Sequence, residues 1–289
     1  MSPFMNPYKK LVADYARLFE EGKSYSLGDF TPAPRPEIAC DAPKALFFAP
    51  HPDDECIVGG MAVRLLREAR MNVINVAVTQ GSKKERQGER YRELENACRY
   101  LGFGLLATGA SGLERITPRT RGQDGEHWAN CVKVILSILE NNQPRVILFP
   151  HEHDWNGTHI GTHFLVMDAL KLMPAGFECY LVETEFWGHM ADPNVMVEIS
   201  AGDLSDMITA TTFHVGEVKR NPYHLLSPAW MMDNVRRGSE LVGGQGGAAT
   251  NFTFAALYRL RKWSQCCATK YFEGGKQISC ETNVGELFA

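Results

Sequence analysis

The chain has 289 residues, 44% of them hydrophobic, with 30 Lys and Arg against 34 Asp and Glu for a formal net charge of -4. So many apolar residues can build one sizeable core, while the charge balance supplies no basic field to attract nucleic acid and argues against such a partner. Eight cysteines without C-x-x-C spacing exclude a zinc ribbon or a thioredoxin-type motif. No run is long and apolar enough to span a bilayer and residues 1–10 hold no apolar leader core, so a cytosolic protein with no membrane partner is expected.

In chain order, residues 6–21 have the apolar spacing of an amphipathic helix, with Leu11, Tyr15, Leu18 and Phe19 on one side. A Pro-rich connector over 31–43 follows. Together, residues 1–43 read as an N-terminal helical extension, and 44–289 as one α/β domain with a C-terminal appendage. Inside that domain the pattern predicts strand 45–49, helix 55–70, strand 72–79, helix 88–100, helix 127–141, strand 145–149, helix 159–172 and strand 179–185. This alternation implies a Rossmann-like, mostly parallel sheet with helices on both faces. The 243–247 stretch, Gly-Gly-Gln-Gly-Gly, lacks the residues of a phosphate loop and reads as a mobile loop, with a lid over the site as a further expectation.

Two polar clusters leave the ends of two of these strands. After 45–49 comes Pro50-His51-Pro52-Asp53-Asp54-Glu55, and after 145–149 comes Pro150-His151-Glu152-His153-Asp154-Trp155-Asn156-Gly157-Thr158-His159. In an open α/β sheet such points share a crevice. An imidazole and a carboxylate three residues apart can hold one metal ion, while the carboxylate between them stays available to move a proton. A capping turn would account for Asp53 or Asp54 alone, but not for His51 or the second cluster. On the helix that follows, His159 and His163 lie four apart, and either could face the crevice.

These segments resemble the PIG-L/LmbE family of zinc-dependent N-deacetylases, whose fingerprint is a strand followed by (A/P)HPDDE and, later, a strand followed by proline and a segment ending H-x-D-H. Gly81, the run from Arg90 through Glu93, Ala97 and Leu101 to Gly102, residues 197–200, and Ala210 with His214 are similar to other parts of that pattern. The resemblance implies that His51, Asp54 and His159 bind zinc or another divalent ion, and that Asp53 is the general base. It also favours His159 over His163, which becomes a core or supporting histidine. Where the family has the first His of H-x-D-H this chain has Asn156, an amide that can donate to an oxyanion but carries neither charge nor a transferable proton. His151 or His153 is the alternative for that task. Thr158 replaces the Asp.

The family's arginine at the start of the helix after the second strand, here Arg90, implies a sugar-hydroxyl contact; pairing with Glu89 or Glu93 competes with it. Trp155 offers a stacking surface for a sugar ring, and Glu185 with Trp187 would complete the pocket wall. The implied activity is removal of an N-acetyl group from a small amino sugar such as N-acetylglucosamine, with a homo-oligomer compatible with it. Two other readings are a non-catalytic carbohydrate- or metal-binding protein of the same fold, and a nucleotide-binding doubly wound protein. The second lacks G-x-G-x-x-G and would set two carboxylates where a pyrophosphate belongs.

Overall fold

The computed structural model describes residues 6–32 and 34–289; residues 1–5 and 33 lie outside it, and with them part of the leader reading and one connector position. Helix α1 (Pro7–Gly22) opens the chain, its N-cap Asn6 accepting from the Tyr8 N–H. The sheet then begins with β1 (Lys44–Ala49), the short helices α2 (Asp54–Ile57) and α3 (Gly60–Arg67), β2 (Asn72–Ala77), α4 (Lys84–Leu101) and β3 (Gly104–Ala107). Next come α5 (Pro118–Gln123), α6 (Gly125–Asn142), β4 (Val146–Pro150), α7 (Gly157–Leu170) and β5 (Cys179–Thr184). The rest is β6 (Val195–Glu198), α8 (Ala201–Thr211), α9 (Val215–Arg220), a 3-10 turn Tyr223–Leu225, α10 (Ser227–Leu241), β7 (Ala255–Ser264), β8 (Cys267–Lys270), β9 (Lys276–Ile278) and a closing 3-10 turn Val284–Phe288.

Among the described residues the sheet has nine strands, ordered β3-β2-β1-β4-β5-β7-β6-β9, with β8 beside β7. Strands β1 to β5 run parallel, and β7 is antiparallel to both β5 and β6. The chain moves outward from β1 to β3 and then returns to place β4 on the other side of β1. The carboxyl ends of β1 and β4 therefore meet at a topological switch point, where open α/β sheets bind ligands.

Because strand side chains alternate between faces, each central strand feeds two cores. Ala45, Phe47, Val146 and Leu148 join one with residues of α3, α4 and α8, whereas Leu46, Phe48, Ile147 and Phe149 join the other with residues of α6 and α7. Each fully buried Phe is worth about 1.5–3 kcal/mol. The Rossmann-like, two-faced, mostly parallel sheet expected from the sequence is the one found.

Several boundaries differ. The single helix expected over 55–70 is broken at Val58 and Gly59, and a Cβ on Gly59 would lie 2.1 Å from the Glu55 carbonyl oxygen. Strand β3 and helix α5 escaped the pattern because they are four and six residues long, too short to show a period. The C-terminal segment is not a mere appendage, since β7 and β9 extend the sheet itself. No helix among the described residues is long and apolar enough to cross a membrane.

Arg64, fully buried on α3, ties this C-terminal segment down. Its guanidinium donates to the carbonyls of Glu198, Ser279 and Thr282 at 2.7–2.9 Å and pairs with Glu68 at 2.6 Å. Arg64→Met leaves those acceptors and Glu68 without their partner and is expected to cost about 3–5 kcal/mol, read as a lower urea midpoint.

Candidate active site

The loop after β1 turns sharply enough to aim three consecutive acids in different directions. Asp53 adopts φ +125° and ψ -29°, a left-handed-side conformation that costs a non-glycine residue about 1–3 kcal/mol. Asp54 then starts α2, and its Oδ2 accepts from the His51 backbone N–H at 2.9 Å. The same oxygen lies 3.5 Å from His51 Nδ1 and 3.3 Å from His159 Nε2. The two imidazole centroids are 5.3 Å apart.

The loop after β4 delivers His159 by a chain of short-range bonds. Asp154 Oδ1 accepts from the Asn156 N–H at 2.8 Å, and Asn156 Oδ1 in turn caps α7 by accepting from the Thr158 N–H at 2.8 Å. That helix start turns His159 towards Asp54, with its Nδ1 3.5 Å from Asp154 Oδ2. The loop packs against Gly188, where a Cβ would stand 2.8 Å from Asp154 Cα.

His51, Asp54 and His159 present ligand atoms within 4.8 Å of one another. Buried His159 Nε2 has no hydrogen-bond partner among the described residues, an expensive state for a polar atom unless something binds it. Two imidazoles and one carboxylate are the donor set of a catalytic zinc site with an open position, and Asp154 behind His159 is the carboxylate that orients such a ligand. The residues present therefore fit a divalent ion.

A cavity of about 610 Å³ opens beside His51 and Asp54, lined by these two with Asp53, Arg90, Asn156 and Tyr223 among others. In the metal-free chain burial pushes the Asp53 carboxyl up, the neighbouring Asp54 adds to it, and His214, Arg90 and the Tyr223 hydroxyl oppose it; the pKa settles at about 6. Asp54 moves the other way, because the two imidazoles outweigh its burial and hold it well below the usual carboxylate range. For His159 burial lowers the pKa, but Asp54 and Asp154 more than reverse this and raise it to about 10 in the metal-free chain. Tyr223 Oη donates to Asp53 Oδ2 at 2.6 Å.

Some expected residues stand elsewhere. Trp155 is 81% exposed and outside the cavity lining, because the cap on α7 turns its side chain to solvent; Trp187 and Phe186 line the wall instead. Glu185 is buried away from the cavity, held by Arg237 at 2.5 Å and the Met190 N–H. His151 has both ring nitrogens engaged, one with the Gly188 carbonyl and one with the His153 N–H, and His153 is exposed. Neither lines the cavity, whereas Asn156 and Thr158 do. His163 is buried with Nδ1 3.0 Å from the Pro150 carbonyl.

Arg90 lines the cavity but pairs with neither Glu89 nor Glu93; it donates to the Pro52 carbonyl at 2.9 Å and lies about 4 Å from Asp53 and Glu217. The glycine-rich stretch follows α10 beside Gln277 and contributes nothing to the cavity lining. Tyr223 was missed: it sits 170 positions beyond Asp53 in a one-turn 3-10 segment that has no sequence signature.

The sequence model of the PIG-L family, described as GlcNAc-PI de-N-acetylase, matches residues 46–170, so this segment is similar to that family. It spans both strand ends that build the cavity. A curated relative, the diacetylchitobiose deacetylase of Thermococcus kodakarensis, is 23% identical over 204 residues, covering 65% of this chain and 75% of its own. Among solved structures, N,N'-diacetylchitobiose deacetylase from Pyrococcus horikoshii aligns with TM-score 0.56 and 17% identity over 90% of this chain and 94% of its own. The 4-carboxy-2-hydroxymuconate hydratase GalB from Pseudomonas putida KT2440 aligns with TM-score 0.58 and 14% identity over 75% and 95%. The fold thus hosts more than one chemistry, and the site must choose between them.

Metal and proton compete for His159 Nε2. With the folded pKa raised to about 10, the protonated ring contributes stability to the metal-free chain at neutral pH that is lost as pH rises through that value. Zinc affinity should accordingly climb about tenfold per pH unit across the neutral range, with one proton released per ion in calorimetry. Asp154→Asn is expected to weaken zinc about 10- to 100-fold.

Proposed function

We propose that the protein is a zinc-dependent N-deacetylase that hydrolyses the acetamide of a small amino sugar of the N-acetylglucosamine type. The observation that carries this reading is the orphaned His159 Nε2 facing Asp54 and His51, with the Asp53 carboxyl beside Asp54 in the cavity that His51 and Asp54 line. The similarity to the PIG-L family and the deacetylase relative support the reaction type.

His51, Asp54 and His159 would hold a divalent ion, which would supply Lewis acidity for the carbonyl oxygen and acidify an attacking water. Asp53 takes that water's proton. Burial, which raises the Asp53 pKa in the metal-free chain, favours the same carboxyl giving the proton to the departing amine, so one residue serves as base and then acid. Tyr223 holds one Asp53 oxygen by hydrogen bond, leaving the other to face the reacting water. Asn156 has Oδ1 committed to the helix cap, so its amide N–H₂ is the group with donor capacity toward the developing oxyanion.

Trp187, on the cavity wall and 42% exposed, is the surface on which the apolar face of a pyranose would stack. Arg90, anchored on the Pro52 carbonyl, has remaining guanidinium donors for sugar hydroxyls. A cytosolic setting belongs to the same reading.

Acetate release from N-acetylglucosamine and its small glycosides tests the proposal. The zinc-loaded chain should liberate acetate and free amine in equal amounts, and Asp53→Asn should lower kcat by about 10²- to 10⁴-fold while keeping its zinc. Trp187→Ala should chiefly raise KM. The substitution of Asn156 and Thr158 for the family residues favours one other reading: a chain that holds zinc and sugar yet releases no acetate is a binding protein.

A further inference from the structure

Asp53 keeps φ at +125° although it carries a side chain. Glycine adopts such angles at ease but would bring no carboxylate. A strained residue persists only where its surroundings over-determine it, and the surroundings here are specific. The Asp53 N–H donates to Glu55 Oε2 at 3.0 Å. The other Glu55 oxygen, Oε1, accepts from His214 Nε2 at 2.8 Å and from the Cys56 thiol at 3.0 Å. On the preceding residue, Arg90 holds the Pro52 carbonyl.

Glu55 and His214 are both fully buried and neither lines the cavity. Glu55 therefore cannot meet substrate, and a buried carboxylate with one partner would be costly. His214 resolves that cost from the start of α9, 159 positions along the chain. Its other ring nitrogen, Nδ1, has no partner among the described residues, so the Glu55 bond is the polar contact that fixes the ring.

We infer that Glu55 and His214 form a clamp that holds Asp53 in its strained conformation and thereby points the carboxylate into the cavity. They are positioning residues. The inference rests on the proposed role of Asp53 as base, but the clamp itself is a statement about backbone conformation and can be read without any activity. Releasing the Asp53 N–H lets φ return to negative values, which rotates the side chain away from the water it would deprotonate.

The test uses the full chain loaded with zinc. Glu55→Met, similar in size and without acceptors, is expected to lower kcat about 30- to 100-fold, the scale of a misplaced catalytic group, with KM and bound zinc near wild type. Its crystal structure should show Asp53 at negative φ. Glu55→Gln, whose oxygen can still take the Asp53 N–H while its amide faces His214, should recover most of the lost kcat. Wild-type kcat in Glu55→Met, or Asp53 still at positive φ in that structure, overturns the clamp. Should Glu55→Met fail to fold, His214→Phe keeps the volume and removes the donor; a kcat about tenfold lower with zinc retained supports the clamp, and unchanged kcat overturns it. If the wild-type chain releases no acetate, the functional reading has failed, and the Asp53 backbone in the variant still decides the clamp.

Discussion

Parallel pairing of β1 with β4, Ala45 opposite Val146 and Phe47 opposite Leu148, is the constraint on which the site depends. The two strands are a hundred positions apart, yet the pairing fixes their ends side by side and pointing the same way. Two loops of modest length then suffice to bring His51 and His159 to 5.3 Å between ring centres. A slip of one residue would exchange the faces served by β1 and bury the wrong side chains in each core. Since Phe47 and Phe48 belong to different cores, the register is set by packing on both faces at once.

Asp53, Asp54 and Glu55 are adjacent in sequence and all buried, which would be unsustainable if each faced the same surroundings. The fold separates them by partner. Asp54 lies between two imidazoles, Glu55 against His214 and the Asp53 N–H, and Asp53 against a phenol with an arginine at the edge. The result is two neighbouring carboxyls moved in opposite directions, Asp54 down and Asp53 up to about 6. Environment, rather than residue type, sets the two carboxyls apart.

What could be read from the sequence follows from how local each determinant is. The apolar runs Ala45 to Phe48 and Val146 to Phe149, each ending in a polar cluster, announce strands and a shared crevice, and spacing within a cluster is a local fact. The cap at Asn156 is just as local, but with the helix expected only from 159 it went unread. Tyr223 and the His214 bond to Glu55 depend on how distant helices pack, and no periodicity reports that. Trp155 misled for a related reason: an aromatic beside metal-type residues suggests a platform, but the cap at Asn156 decides which way the preceding residue points. Glu185 follows β5, where one further step along the chain separates the cavity wall at Phe186 from the ion pair with Arg237.

Asn156 carries a consequence for the proposed chemistry as a whole. Its side-chain oxygen cannot leave the α7 cap without exposing an N–H at the helix start, so the amide orientation is fixed by folding, and only a neutral donor is available at that point. Neither His151 nor His153 can replace it, one being fully hydrogen-bonded and the other turned to solvent. Among the described residues, then, neither histidine of this loop is placed to protonate the leaving amine in the proposed reaction. The proposed chemistry therefore returns the proton from the group that took it, the buried Asp53 carboxyl. On this reading, replacing a histidine by asparagine shifts the full burden of proton transfer onto Asp53, and with it the importance of whatever holds that residue in place.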